Sequence, residues 1–281
     1  MKKTFYLLLL VILASCTGGK QLEMNVMTFN IRYDNPGDSL NNWKYRKDVA
    51  AQIIKSNKAD IIGTQEVLFN QLNDLKERLP EYTAVGVGRQ DGINKGEYAA
   101  VLYKKNRFNE VESGYFWLSE TPEVAGSKGW DGACERIATW VILQDKSTEK
   151  KLVFVNTHLD HVGKQARQEG VTLLLNRAKS LAKGLPVIIT GDFNATPESD
   201  VIKHVTGNNE FHDSRMIAES ISLAPGTYHD YGKIPAVDRE IIDYIFVTDP
   251  IQVSSYQIIP EQLNDTYLSD HNPVVAGIII P

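Results

Sequence analysis

The apolar runs of this chain end in polar residues, and their types converge on one kind of chemistry. The run from Met24 ends on Asn30, and the run from Asp60 ends on Glu66. Val153–Thr157 leads into His158 and Asp160, and Val187–Thr190 into Asp192 and Asn194. Ile241-Ile242 is followed by Asp243, and the last apolar run is preceded by Ser269-Asp270-His271. One Asp after a strand is usually a turn or cap residue. The same arrangement repeated through one chain points to a site, because strand ends combine a rigid frame with open loops. Glu66, Asp192 and Asp270 offer carboxylates, and Asn30 and Asn194 offer amide oxygens. These are hard donors, and no His-x-x-x-His or closely spaced Cys pair accompanies them. The set therefore suits Mg²⁺ or Mn²⁺ and fits zinc poorly. A divalent cation held by few carboxylates commonly acts on phosphate oxygens. His158 and His271, each near an acidic residue, suit phosphate binding and proton transfer close to neutral pH.

The elements that must carry these residues follow from periodicity. Met24–Ile31 alternates and is rich in β-formers, which predicts a strand. Asp60–Glu66, Tyr98–Tyr103, Ala138–Leu143, Leu152–Thr157 and Val187–Asp192 read as further strands. Ile241–Val247, Val253–Ile259 and Pro273–Ile280 close the chain in the same way. Helical spacing appears over Trp43–Lys55 and over Gln71–Leu79, which Pro80 stops. Val171, Leu174, Leu175, Ala178 and Ala182 mark one face of a helix over Gly163–Lys183. The Gly-rich stretch Ser119–Ala133 reads as a surface loop. Strands and helices mix, but the later part is strand-rich. The expected class is α/β, with two packed sheets and helices outside them rather than one doubly wound sheet.

Composition sets outer bounds. The 281 residues are 42% hydrophobic and 23% charged, which is ordinary for a globular chain and excludes a disordered or fibrous one. Two cysteines cannot staple a scaffold or build a Cys-rich zinc site. A formal charge of −5 gives no broad polycationic surface for long nucleic acids. At the N-terminus Lys2 and Lys3 precede an apolar run, Phe5–Leu13, too short to span a bilayer comfortably. Leu13-Ala14-Ser15-Cys16 resembles a bacterial lipobox, with cleavage before Cys16 and acylation of that residue. The expected organisation is a signal over residues 1–15, a tether over 16–23 and one domain over 24–281. The protein is then expected to be exported, lipid-anchored at Cys16 to a bacterial membrane, and monomeric.

The motifs also resemble those of the endonuclease/exonuclease/phosphatase superfamily, the deoxyribonuclease-like proteins. The matching segments are Thr28-Phe29-Asn30-Ile31-Arg32, Gly63-Thr64-Gln65-Glu66-Val67, Asn156-Thr157-His158-Leu159-Asp160, Thr190-Gly191-Asp192-Phe193-Asn194-Ala195, Ile242-Asp243-Tyr244-Ile245 and Ser269-Asp270-His271-Asn272-Pro273-Val274. They stand in the family's order and span nearly all of the chain after the tether. The resemblance implies a four-layer α/β sandwich and Mg²⁺-dependent hydrolysis of a phosphoester. It makes Asn30 and Glu66 the metal-binding pair and Asp270 a second acidic position near the metal. Asp192 becomes the residue that orients or deprotonates water, and Asn194 its phosphate-positioning neighbour. His158 and His271 become phosphate contacts, and Asp243 the carboxylate that orients His271. The substrate stays open among nucleic acid, a nucleotide, a lipid headgroup and a sugar or inositol phosphate. A non-catalytic surface binding protein that retains the fold is the alternative, and the chemical completeness of the set argues against it.

Other residues stand further from the motifs. Cys134-Glu135-Arg136 after Phe116-Trp117-Leu118-Ser119 resembles a bacterial branch near the deadenylase-type members. Arg136 could fork onto a phosphate or form a salt bridge at a strand start. Arg89, among Gly86, Gly88 and Gly92, could line the substrate mouth or sit in a hairpin loop. Arg32 directly follows the first strand. Of the tryptophans, Trp130 in the Gly-rich loop is the one expected to touch substrate, with Trp43 and Trp117 expected in the core. His161, His204, His212 and His229 are expected to be solvated loop residues outside the site.

Overall fold

The computed structural model of the protein describes residues 20–281, so the expected signal and Cys16 lie outside the described residues. The chain opens with β1 (Leu22–Asn30), α1 (Trp43–Ser56), β2 (Ile61–Val67) and α2 (Phe69–Arg78). Next come β3 (Tyr82–Val85), β4 (Tyr98–Lys104), β5 (Phe108–Trp117), β6 (Ile137–Asp145) and β7 (Lys151–His158). Then follow α3 (Lys164–Ala182), β8 (Val187–Asp192), α4 (Asp200–Thr206), β9 (His212–Asp213), α5 (Ser214–Ile217) and β10 (Ile221–Ser222). The chain closes with β11 (Asp243–Val247), β12 (Gln252–Ile258), the short pair β13 (Gln262–Leu263) and β14 (Thr266–Tyr267), and β15 (Val274–Ile280).

Two sheets result, with strand orders β10-β12-β15-β1-β2-β4-β3 and β5-β6-β7-β8-β11-β9. Both are mixed. β1 and β2 run parallel in the first sheet, as do β7 and β8 in the second. β15 lies antiparallel beside β1, and β11 antiparallel beside β8. The apolar side chains separate into layers, as two sheets with one helix-covered face each require. Val26, Ile61, Val101, Val141, Phe154, Ile188 and Ile245 pack between the sheets. Met27, Phe29 and Ile62 pack against Ile54 of α1 and Leu72 of α2 on one outer face. Val153, Val155 and Ile189 pack against Leu174 of α3 and Ile202 of α4 on the other. The architecture is thus helix, sheet, sheet, helix.

The local reasons agree with this order. Asn42 caps α1 by accepting from the Lys44 N–H. In α3 the buried positions Val171, Leu174, Leu175 and Ala178 have the expected helical spacing. β1 begins at Leu22, inside the stretch assigned to the tether, because Leu22 is buried and pairs with Ile280. β5 has no counterpart in the periodicity reading. It is an edge strand, mostly exposed along its length, so it lacks the apolar run that marks a buried strand.

Polar side chains meet where the two sheets face each other below the site. Asn156 of β7 donates to the backbone oxygens of Thr64 and Ala100 in the opposite sheet, at 2.9 and 3.1 Å. Its Oδ1 accepts from Gln65 Nε2 at 2.7 Å and Thr190 Oγ1 at 3.0 Å. Gln65 Nε2 also donates to Thr28 Oγ1 at 3.0 Å. These side chains are fully buried, so each lost partner costs a desolvated polar group. Gly63 allows the approach: a Cβ there would lie 2.1 Å from Thr190 Oγ1 and 2.3 Å from Asn156 Oδ1. Gly63→Ala should therefore destabilise the protein by about 1–3 kcal/mol through overpacking. Urea unfolding checks this, and an unchanged midpoint would contradict the close packing of the seam.

Candidate active site

The expected site residues gather along one edge shared by both sheets. Strand register does much of this. His158 pairs with Asp192, and Asp192 pairs with Asp243, so three adjacent strands align these side chains. The other sheet contributes Asn30 from the end of β1 and Glu66 from β2. Glu66 sits at a break in the β2–β4 register, between Thr64 and Val67. Its backbone is left-handed there, with φ 60°. A bulge of this kind re-aims a side chain, here out of the seam and into the cleft. Arg32 and Asn194 also hold positive φ, at 57° and 46°. Such backbone costs about 1–3 kcal/mol per residue and tends to cluster at functional sites.

The contacts form a connected chain. His271 Nδ1 donates to Asp243 Oδ2 at 2.9 Å, and His271 Nε2 faces Asp192 Oδ2 at 3.8 Å. Asp192 accepts from Asn30 Nδ2 at 2.9 Å and from the Asn194 N–H at 2.9 Å. His158 Nε2 lies 3.5 Å from Asp192 Oδ2 and accepts from Asn194 Nδ2 at 3.1 Å. Burial works against a charged His271, but the Asp243 and Asp192 carboxylates outweigh it and raise its pKa. His158 moves the other way. Burial, then the Arg136 and Arg89 charges, hold it neutral well below the usual range. Burial and the neighbouring Asp243 raise the Asp192 carboxyl. One histidine is thus suited to donate from a cation and the other to act as a neutral ligand.

At the acidic end, Asn30 Nδ2 also donates to Glu66 Oε1 at 3.0 Å. Arg32 bonds Asp38 at 3.2 Å and approaches Asp270 at 3.6 Å and Glu66 at 3.8 Å. Glu66, Asp192 and His271 each offer a donor atom within 4.8 Å of the others. Glu66, Asp192, Asp243 and Asp270 face Arg32 and His271, so carboxylates exceed nearby cations. This excess of buried negative charge, on hard oxygen donors, fits a divalent cation. Glu66 and Asp270 would hold it, with Asp192 beside them. Asn30 differs from the expectation in one respect. Its Oδ1 accepts from the Arg32 N–H at 3.0 Å, so its NH₂ faces the carboxylates. It would offer oxygen to a cation only after the amide turns over, a choice that hydrogen-bond networks decide.

A cleft of about 590 Å³ opens over this centre. Glu66, His158, Asp192, Asn194, Asp270 and His271 line it, together with Arg136. Asn30 and Asp243 stand behind the wall. Trp130 does not line the cleft, and its backbone N–H is held by the Glu120 carboxylate in the Gly-rich loop, at 3.1 and 3.2 Å. Asn194, expected to position phosphate, spends its amide N–H groups on His158 and on the Leu159 oxygen at 3.0 Å. Trp43 and Trp117 are buried, donating to Asp74 and to the Arg89 oxygen. His161 is exposed but lines the cleft, and His229 is fully buried and stacks on Tyr267. Sequence reasoning missed Glu97, Tyr228 and Glu240 as lining residues. They lie outside the strand-end motifs, and only the loops that fold over the edge bring them in.

Fold and cleft together define a class, the α/β sandwiches whose polar centre lies along the common edge of two sheets. The chain belongs to the Endonuclease/Exonuclease/phosphatase family, whose model matches residues 27–271. Members of this family hydrolyse phosphoesters. A family structure from Bacteroides vulgatus is 46% identical with a TM-score of 0.89, covering 92% of this chain and 98% of that one. A mannosyl-6-phosphatase from Bacteroides thetaiotaomicron is 36% identical with a TM-score of 0.86, covering 92% and 100%. The Ccr4 exoribonuclease subunit of Mycosarcoma maydis is 24% identical over 81% of this chain, which spans 44% of that longer protein.

The Asp243–His271 contact predicts coupled losses. Asp243→Ala and His271→Ala should each lower kcat/KM, and the double variant should lose little more than His271→Ala alone. A double-mutant cycle measures this; losses that multiply would show that the two side chains act independently.

Proposed function

We propose that this protein is a phosphoesterase dependent on Mg²⁺ or Mn²⁺ that acts on a small phosphorylated sugar. The observation that carries the reading is the meeting, in one cleft, of the Glu66 and Asp270 carboxylates with the Asp243–His271 pair and Asp192. Glu66 and Asp270 would hold the cation, which would supply Lewis-acid polarisation of phosphoryl oxygens and neutralisation of their charge. Asp192, raised by burial and with its oxygens oriented by Asn30 and Asn194, takes the proton of the attacking water. His271, kept cationic by Asp243, donates from Nε2 to a phosphoryl oxygen. His158, neutral and held by Asn194, lines the cleft beside Asp192.

A small substrate is supported by the dimensions and charge of the cleft. Its arginines, Arg32, Arg89 and Arg136, are each engaged by a carboxylate, and with a net charge of −5 this gives little purchase on a polyanion. The similarity to a mannosyl-6-phosphatase supports a sugar phosphate in particular. A nuclease is the second reading, favoured by the likeness to an exoribonuclease subunit. Turnover of sugar phosphates, a bis-aryl phosphodiester and oligoadenylate, each with Mg²⁺ or Mn²⁺, separates the two. The proposal expects sugar phosphate to have the highest kcat/KM, and a clear preference for oligoadenylate would replace it with the second reading.

Two further outcomes are expected. EDTA should abolish turnover and Mg²⁺ or Mn²⁺ restore it, and Glu66→Gln should weaken cation binding, measured by calorimetry, without unfolding the protein. Full activity in excess EDTA would end the metal reading. We also propose that Cys16 carries a lipid anchor on an exported protein. Among the described residues no helix is long and apolar enough to cross a membrane. Cys16→Ser should move the protein out of the membrane fraction or leave it unprocessed; unchanged fractionation and mass would refute the anchor.

A further inference from the structure

The side of the cleft beside His158, where Arg89, Glu97 and Arg136 meet, has a chemistry of its own. Arg136 is only 5% exposed. Its Nε reaches Asp160 Oδ2 at 3.4 Å, and its Nη2 donates to His161 Nδ1 at 2.9 Å. Its Nη1 is buried without a partner, although the residue lines the cleft. Asp160 is a firm base for it. That carboxylate also accepts from the Ala133, Val162 and Gly163 N–H groups, at 3.0, 2.9 and 2.7 Å. Beside Arg136, Arg89 forks onto Glu97 with two contacts of 2.8 Å, and its Nε is likewise unpartnered. Glu240 lines the same cleft, with its side chain exposed.

A buried guanidinium N–H without a partner costs free energy until a ligand supplies an acceptor. Several ligand types could enter, and the surroundings choose among them. A second anion would satisfy Arg136 but meet Glu97. An alkyl chain would leave Nη1 unpaired, and a base, whose ring nitrogens and carbonyls could accept from it, belongs to the nuclease reading set second above. A hydroxyl both accepts and donates, so it can take the Arg136 N–H and give its proton to a glutamate. We propose that Arg136 reads the leaving group by hydrogen-bonding a hydroxyl of it, with Glu97 as the acceptor beside it. Arg136 is then a specificity-determining residue for polyhydroxylated leaving groups. The inference rests on the phosphoesterase reading above and deepens it.

The test compares mannose 6-phosphate with n-butyl phosphate, which has the same phosphate and no hydroxyls on its leaving group. Wild-type protein with Mg²⁺ should prefer the sugar by at least about 10-fold in kcat/KM. Arg136→Ala should lower kcat/KM for the sugar at least about 10-fold more than for n-butyl phosphate, beyond whatever loss both esters share through His158. Arg136→Lys keeps a charge on Asp160 and so guards against simple misfolding, which circular dichroism checks. It should lose much of the same selectivity, because the planar fork is gone. Equal losses on both substrates would place Arg136 on the phosphate and overturn the inference. So would a wild-type protein that turns over both esters equally, leaving the phosphoesterase reading intact. No turnover of any phosphoester would overturn both.

Discussion

Asn156 ties the two sheets together by hydrogen bonds, and the site depends on that tie. It leaves β7 with Thr64 and Ala100 of the other sheet as acceptors, and takes Gln65 and Thr190 as donors. Apolar packing alone holds two sheets near each other but tolerates sliding, since it has no direction. Buried hydrogen bonds do not tolerate it, because each has a geometry and an unmade one is costly. The network lies just below the strand ends. It therefore sets how Asn30 and Glu66, from one sheet, meet His158, Asp192 and Asp243, from the other. Gly63 belongs to the same constraint, since any side chain there would occupy the space of Thr190 and Asn156.

Above the seam the governing quantity is charge. Asp192 is buried beside Asp243, and Asp270 beside Glu66, which raises both Asp192 and Asp270 carboxyls, burial first. His271 and Arg32 offset part of this, and a divalent cation completes the balance in the reading proposed above. The left-handed backbone at Arg32, Glu66 and Asn194 belongs to the same design: residues that must face a cleft from a strand end leave the strand's own geometry to do so. The Arg136 side of the cleft is built on another carboxylate, Asp160. Three backbone N–H groups and Arg136 overcome its burial and hold its pKa well below the usual range.

Much of the fold was legible because its central strands are buried on both faces. Val187–Asp192 and the core of β7 read as continuous apolar runs, and α3 shows its spacing plainly. The strand-end residues were legible because polar side chains ending such runs are conspicuous. The individual roles came through family resemblance, since Asp192 and Asp270 are indistinguishable as isolated letters. Other features had no local signal. β5 hides because an exposed edge strand carries few apolar residues. Glu97 and Glu240 reach the cleft only through the path of their loops. Trp130 stands away from the cleft, in a loop whose backbone is held by Glu120, a contact that composition and spacing do not mark. The turn of the Asn30 amide depends on the Arg32 N–H, which is adjacent in sequence but meaningful only in three dimensions.

The central claim is that a buried polar tie between the sheets aligns the strand ends for catalysis. Asn156→Ala tests it most directly, because Asn156 hydrogen-bonds to no candidate catalytic side chain. The measurement is unfolding free energy and kcat on one sample, at a temperature where the variant stays folded. Removing Asn156 orphans partners on both sheets, at about 1–3 kcal/mol for each buried group left unmade. The account predicts a clear loss of stability together with a fall in kcat of at least about 10-fold, corresponding to 1.4 kcal/mol of barrier. A variant that loses stability but keeps the wild-type kcat would show that the strand ends hold their alignment without the tie, and would contradict the account.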